Sequence, residues 1–219
     1  MYISEILGNK YFGQHGDDLI IEAIFTRMGI GKPSYIDLGA NYPFANSNTA
    51  AMYLHGCRGI NIEANPSLMG AIKLARPEDI NLNVGVSVEE GVLPFYKYDE
   101  ASGLNTFSWN EAEKWWDASR EVIELPVTTL KKIIEEYCPD GFPDFLDCDI
   151  EGLDYAVLED YDLLSDGPKV ICVETRPDET DKFDRMLDKK GYFRFCRIGE
   201  NNIYIRKEYG QAVCHCDFE

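Results

Sequence analysis

Apolar positions along this chain fall into alternating short runs and helical spacings. Residues 17–28 carry Leu19, Ile20, Ala23, Ile24 and Met28 at helical intervals, with Asp17 or Asp18 available as a cap and Gly29, Gly31 and Pro33 ending the segment. Residues 35–38 are a short apolar run that predicts a first strand. Residues 47–56 predict a helix closed by Gly56, and 60–62 a second strand. Pro66 opens the next helix and Pro77 closes it, before a third strand over 80–86. Residues 92–97 are a candidate extra strand. Residues 100–121 are the least regular part and hold Trp109, Trp115 and Trp116, either as a cap over a site or as aromatic anchors of a surface helix. Beyond them the pattern predicts a helix over 127–137, a fourth strand over 145–150, a helix over 155–164 and a fifth strand over 170–173 that ends at Glu174. A helix over 181–190 follows, then strands over 192–198 and 203–206 joined by the turn signal Gly199-Glu-Asn-Asn202.

Strands that alternate with helices imply an α/β chain with a largely parallel sheet covered on both faces, and the closing hairpin adds an antiparallel edge. No internal repeat or linker interrupts the 219 residues. They are expected to form a single domain (1–219), with an N-terminal helical segment (1–33), a core (34–206) and a tail (207–219). The formal net charge of −18 argues against duplex nucleic acid and anionic membrane surfaces as partners. No run reaches the length of a membrane helix, so no membrane insertion is expected. Seven cysteines, an odd number lying mostly inside strand-like runs, suit reduced thiols in a cytoplasm. Cys214-His215-Cys216 lacks a second pair to complete a zinc site and is expected to be a tail.

The chemistry concentrates at predicted strand ends. Strand one ends in Asp37 and Gly39, and strand two in Glu63, the layout of a nucleoside-binding α/β half in which the second carboxylate takes a ribose. The turn has one glycine where a dinucleotide fingerprint has three, so a pyrophosphate lacks its cradle. A ligand without phosphate, such as S-adenosylmethionine (SAM), does not need one. This argues against the competing reading, a nicotinamide oxidoreductase. Asp147, Asp149 and Glu151 alternate, and an extended chain would set them on one face unless Asp147 turns to the helix layer. Acids so close need a proton or a cation among them. The sulfonium of SAM is one such cation, and a hard divalent ion such as Mg2+ or Mn2+, held by Asp149, Glu151 and Glu174, is another. His15 and His55 are expected to be surface residues.

Five segments in order resemble the FkbM family of SAM-dependent methyltransferases: Phe12-Gly-Gln-His-Gly-Asp-Asp18; Tyr35-Ile-Asp-Leu-Gly-Ala-Asn41 with Ser47-Asn-Thr49; Gly59-Ile-Asn-Ile-Glu-Ala-Asn-Pro66; residues 76–87; and Leu146-Asp-Cys-Asp-Ile-Glu-Gly152. The resemblance covers roughly residues 11–206. It implies the class I, Rossmann-like methyltransferase fold with a seven-stranded, mostly parallel sheet. It implies O-methylation of a small-molecule acceptor, a sugar or nucleotide-sugar of surface-polysaccharide or secondary-metabolite biosynthesis. Carried over by position, Gln14, Asp37, Gly39, Asn41, Ser47, Glu63, Asn83, Val84 and Asp149 would bind SAM. Asp149, Glu151 and Glu174 would be catalytic, with Asp149 the first choice for base and Glu174 the second. Tyr42-Pro43-Phe44 is bulkier than the family's usual turn. Arg58, Arg76, Arg176 and Lys182 are the cations that could meet a diphosphate, and the three tryptophans could stack on a neutral acceptor. A SAM-binding protein without catalysis would not need the strand-end acids. Oligomeric state is left open.

Overall fold

The computed structural model describes residues 11–117 and 120–214. After helix α1 (Asp17–Arg27) the chain alternates: β1 (Tyr35–Leu38), α2 (Ala50–Leu54), β2 (Gly59–Ile62), α3 (Pro66–Ala75) and β3 (Ile80–Leu82). Three strands then leave the main sheet, β4 (Gly85–Ser87), β5 (Gly91–Lys97) and β6 (Glu121–Thr129), with the one-turn helix α4 (Trp109–Ala112) between the last two. The alternation resumes through α5 (Leu130–Tyr137), β7 (Phe145–Cys148), α6 (Asp154–Asp160), β8 (Val170–Glu174) and α7 (Thr180–Lys189), and closes with β9 (Tyr192–Ile198), β10 (Asn201–Arg206) and α8 (Gly210–Cys214).

The main sheet has seven strands in the order β3-β2-β1-β7-β8-β10-β9, parallel except where β10 runs antiparallel to β8 and to β9. This is the α/β arrangement the sequence predicts, including the antiparallel hairpin. Every residue of β1 and β7 is buried, because helices cover both faces. The pleat sorts their side chains. Ile36, Leu38, Leu146 and Cys148 point into a core shared with α5, α6 and α7. Tyr35 and Phe145 point into the opposite core, against Ile21, Ile24 and Phe25 of α1. Asp37 and Asp147 lie on this second side, in register with each other. Gly59 is required where β2 passes β1, since a Cβ there would meet Tyr35 at 2.3 Å.

The helices predicted over 47–56 and 155–164 shorten to Ala50–Leu54 and Asp154–Asp160, the fourth strand ends at Cys148, and two elements differ further from the sequence reading. The predicted third strand splits at Asn83, whose side-chain amide donates to the carbonyls of Glu63 (2.8 Å) and Ala64 (3.0 Å), and β4 joins a second sheet, β4-β6-β5. The predicted helix over 127–137 starts only at Leu130, after the Thr129 hydroxyl caps it by accepting from Lys132 N–H at 3.1 Å. Residues 121–129 before it form β6, in which Pro126 stands opposite Val92 beyond the β4 pairing, where the ladder does not need its missing N–H. Among the described residues no helix is long and apolar enough to cross a membrane.

Candidate active site

Glycine 39 ends β1 with φ +85°, and a Cβ there would come within 1.9 Å of the Asp149 carbonyl. The glycine therefore lets β1 and β7 close on each other at their carboxyl ends, and the turns that follow both strands line one cavity. It encloses about 610 Å³, counting its open mouth. Its walls are Gly39, Asn41 and Glu63 on one side, Asp149 to Glu151 on another, Val84, Val86 and Phe95 from the second-sheet excursion, and Ser102 to Phe107 above, Leu104 excepted. That covering loop is tied down: Thr106 Oγ1 donates to the Glu151 carbonyl at 2.6 Å, Tyr42 OH to the Ala101 carbonyl at 3.0 Å, and Asn65 Nδ2 to the Glu100 carbonyl at 2.7 Å.

Glu63 is buried and fixed by two backbone donors, Asn41 N–H to Oε2 at 2.9 Å and Asn65 N–H to Oε1 at 2.7 Å. Burial raises its pKa, while these two bonds oppose the rise. Each carboxylate oxygen keeps a lone pair for a further donor. Asn41, at φ +47°, has a buried Oδ1 with no partner, an acceptor awaiting a donor. Among the described residues, three carboxylates (Glu63, Asp149, Glu151) and no lysine, arginine or histidine line the cavity. Its chemistry suits a ligand rich in donors or positive charge and gives a phosphate nothing to hold.

A second cleft of about 600 Å³ shares Asp149 and Glu151 with the first and adds Glu111, Asp154, Tyr155, Glu174, Arg176, Glu179 and Phe183. Asp149, Glu151 and Glu174 each bring one oxygen within 4.8 Å of the others, an all-oxygen set of the kind a hard divalent ion takes. Asp149 is exposed to solvent, yet the protein packed around its carboxyl, followed by the charges of Glu151 and Asp154, pushes its pKa above the carboxylate range. Loss of water and the Glu174 charge raise Glu151 to about 8. Loss of water and the Asp149 charge raise Glu174 to about 9, with Glu200 of the β9–β10 turn beside it. Glu151 sits at φ +52° in the turn after β7, so the strand ends before it.

The predicted site residues divide. Gly39, Asn41, Glu63, Val84 and Asp149 line the first cavity, and Asp149, Glu151 and Glu174 meet in the second. Gln14, Asp37, Ser47 and Asn83 line neither. Gln14 is exposed, in a loop whose ends are fixed by Phe12 N–H to Asp18 (2.7 Å) and Ser47 N–H to the Phe12 carbonyl (3.0 Å). Asn83 is spent on the strand switch. Asp37 and Ser47 belong to a buried network around Arg76, which is 1% exposed. Arg76 donates to the Pro43 carbonyl (Nε, 2.9 Å), Ser47 Oγ (2.8 Å), Thr49 Oγ1 (2.7 Å) and Asn61 Oδ1 (3.0 Å), and Thr49 donates to Asp37 at 2.5 Å. Burial raises the Asp37 pKa despite Arg76. Asp147 faces the same layer, accepts from Asn48 Nδ2 at 3.2 Å, and is pushed up by burial and by Asp37. The bulky Tyr42-Pro43-Phe44 turn is what Arg76 clamps.

None of the four proposed diphosphate cations is free for one. Arg76 is buried, Arg58 pairs with Glu78, Arg176 is held by Glu111 and Glu179, and Lys182 lies 3.4 Å from the Tyr155 ring centre. His55 pairs with Glu22 at 2.6 Å, away from both clefts. The three tryptophans pack on one another and on Tyr96 and Tyr98, so they anchor the cap and line neither cavity. Cys214 is exposed; His215 and Cys216 lie outside the described residues. The Ser102–Phe107 cover lies within the 100–121 stretch that the sequence offered as a cap or as a surface helix, whereas the sequence reading did not assign Glu111 or Glu200 to the site.

A search of the curated proteins finds no match. Among solved structures the chain is similar to a "putative RNA methyltransferase" of Pyrococcus horikoshii, at 8% identity and TM-score 0.46 over 94% of this chain and 98% of that one. It is also similar to precorrin-6y C5,15-methyltransferase of Geobacter metallireducens, at 14% identity and TM-score 0.40 over 90% and 93%. These likenesses are too distant to bear on activity. The family model of the FkbM methyltransferase domain matches residues 37–194, from the β1 acid through β9, and so takes in every residue that lines the two clefts. The chain belongs to the FkbM methyltransferase domain family.

Proposed function

We propose that this protein transfers the methyl group of SAM to a hydroxyl of a sugar-like small molecule, of the kind used in surface polysaccharides or secondary metabolites. The observation that carries the reading is the junction of the two cavities: a cation-free pocket lined by carboxylates opens across Asp149 and Glu151 onto a second, acidic cleft. Glu63 would take the ribose hydroxyls through its two remaining lone pairs. Ile62, Leu68, Val84, Val86 and Phe95 would enclose the adenine, and the unpartnered Asn41 Oδ1 with Asp149 would receive the ammonium. When bound, SAM supplies an electrophilic methyl group that leaves sulfur for the acceptor oxygen, the carbon–sulfur electron pair staying on sulfur.

The chain's own work is to place the acceptor and take its proton. Asp149 is the base, because it is the carboxylate common to both cavities besides Glu151 and lies in contact with Glu174, which can pass the proton on toward Glu200. Positioning in the second cleft supplies much of the rate. The same oxygens would suit Mg2+ or Mn2+, which would lower the hydroxyl pKa instead. Calorimetric titration with S-adenosylhomocysteine (SAH) and with NAD, each with and without Mn2+, tests the reading. Micromolar SAH binding and no NAD binding are expected. No SAH binding, or preference for NAD, would refute it. A requirement for Mn2+ in turnover would favour the metal route.

A further inference from the structure

Charge along helix α7 is sorted into stripes. Its cations Lys182, Arg185 and Lys189 recur at i, i+3 and i+7, and its acids Asp181, Asp184 and Asp188 repeat the same spacing one position ahead. The acidic stripe is taken up by the end of the sheet: Asp184 accepts from Tyr204 OH at 2.9 Å and pairs with Arg194 at 3.2 Å, and Asp188 pairs with Lys207 at 2.7 Å. The basic stripe lines a groove between α7 and α6 of about 730 Å³, counting its open mouth. Lys190, at the end of the same helix, pins the groove shut below by donating to the carbonyls of Glu159 (2.9 Å) and Tyr161 (2.6 Å). Glu159 is the one acid of the lining, and it accepts from Tyr155 OH at 2.9 Å. Arg185 and Lys189 are exposed and, unlike the four cations that the sequence offered to a diphosphate, make no hydrogen bond or ion pair among the described residues. Four cations and one carboxylate thus line a groove on a chain that has 21 lysines and arginines against 39 acids, the reverse of the molecule's own balance.

We propose that this groove holds the anionic end of the methyl acceptor, a phosphate-bearing sugar whose phosphoryl oxygens meet Arg185 and Lys189 while a hydroxyl reaches Asp149. This rests on the reading of the second cleft as the acceptor site. Tyr155 joins the two places. Its ring lines the second cleft beside Phe183, in edge contact at 5.3 Å, and also lines the groove, where Lys182 Nζ stands 3.4 Å from the ring centre. A ligand laid across Tyr155 therefore enters both, with the aromatic wall against its ring carbons. Charge then sorts its two ends. The second cleft is rich in carboxylates and its Arg176 is already paired with Glu111 and Glu179, so a phosphate is repelled there, whereas the groove attracts one. The Arg185 guanidinium offers a fork of donors that matches a phosphoryl group, and Lys189 adds a mobile point charge. Lys182 and Lys190 keep their own partners and still contribute to the local field. A small phosphate ester suits the groove better than a nucleic acid, because the net charge of −18 repels an extended polyanion.

The test uses the full chain saturated with SAH, in EDTA, titrated calorimetrically with a methyl hexoside, the matching hexose 1-phosphate, a nucleoside diphosphate hexose, inorganic phosphate and an RNA oligonucleotide. Both phosphorylated sugars should bind at least about tenfold more tightly than the neutral hexoside, the effect of about one charged hydrogen bond. The difference should shrink as salt is raised. Inorganic phosphate should bind more weakly than hexose 1-phosphate, because it lacks the part that lies across Tyr155. The tighter of the two phosphorylated sugars tells whether the anion is a monophosphate or a diphosphate. Replacing both cations, Arg185→Gln with Lys189→Gln, should reduce the preference to about threefold or less. SAH affinity and melting temperature should not change, since neither side chain is bonded within the protein. Equal binding of the neutral and phosphorylated sugars, a preference that survives in the double variant, or inorganic phosphate that binds as tightly as hexose 1-phosphate would overturn the inference and leave methyl transfer standing. So would no binding of either phosphorylated sugar, or tighter binding of the RNA. Failure to bind SAH would remove both.

Discussion

Asp147 and Asp149 are two residues apart on the same strand end, and the molecule uses them for opposite purposes. Asp147 faces the α1–α2 layer in register with Asp37, is 8% exposed, and meets Asn48. Asp149 follows the last residue of β7 and opens into both cavities. The first set of acids is enclosed with Arg76 and fixes the turn after β1. The second set faces solvent in the two clefts. Burial raises the pKa in both sets, so a raised pKa alone does not mark the reactive group; access does.

The comparison breaks most sharply by exchanging each acid for its amide. Asp149→Asn should still bind SAH, about tenfold more weakly for loss of the charge that meets its ammonium, and at saturating SAM should lose about 10²–10⁴-fold in turnover, the usual worth of a general base. Asp147→Asn should keep turnover within about twofold and melt no lower, since it removes a buried charge next to Asp37 and keeps the acceptor for Asn48. Full activity in Asp149→Asn, or its loss in Asp147→Asn, would reverse the two roles.

Removing the cation of the structural set tests the other half. Arg76→Met leaves Asp37 buried without its nearest positive charge and strips partners from the Pro43 carbonyl, Ser47 and Asn61. The cost should be about 3–5 kcal/mol, a fall of roughly 10 °C or more in a chain of this size. A melting temperature unchanged by this substitution would mean that the turn after β1 is held by something else.

Among the cofactor residues the contrast is between Glu63 and Asn83, both expected from the sequence to touch the ligand. Glu63→Gln gives up one acceptor that also holds a backbone N–H, and SAH should bind about 10–100-fold more weakly, the worth of one or two charged hydrogen bonds. Asn83→Ala should change SAH affinity by less than about threefold, because its amide is turned to the Glu63 and Ala64 carbonyls. Equal effects would place Asn83 back in the site.

The strand and helix order was legible because β1, β2, β7 and β8 are buried on both faces and bounded by glycine, proline and acid. Glu63 and Asp149 were legible because each follows the end of such a strand. Asp37 and Ser47 carried the same signal, and misled, since a motif in sequence does not say which side of the pleat a residue takes. Asp37 is taken up by the Thr49 hydroxyl beside Arg76 and lines neither cavity. Arg76 was expected as a cation that could meet a diphosphate, and only the folded turn supplies the carbonyl, hydroxyls and amide that take its guanidinium inside. The second sheet was half seen, because Pro126 and the adjoining helix hid β6. Glu111 comes from a stretch with no motif and Glu200 from a hairpin turn whose signal says nothing of a site, so their place beside the cleft follows from topology alone.

The smallest expected effect separates the two acid sets by pH. Glu151 and Glu174 have folded pKa values of about 8 and about 9 against an ordinary 4.5. Between those values the folded chain binds more protons than the unfolded one, so stability must fall as pH rises. The contribution is complete below about pH 4.5 and is lost as pH climbs through 8 and 9. Thermal unfolding in EDTA should therefore show a melting temperature that declines from pH 6 to pH 9. Glu174→Gln, which cannot ionise, should match wild type near pH 4.5 and exceed it increasingly toward pH 9, each ~1 kcal/mol of difference raising the melting temperature by about 2–4 °C. A melting temperature that rises with pH, or a Glu174→Gln variant weaker at pH 9, would mean that the cleft acids are ionised at neutral pH and are held together by a cation rather than by protons.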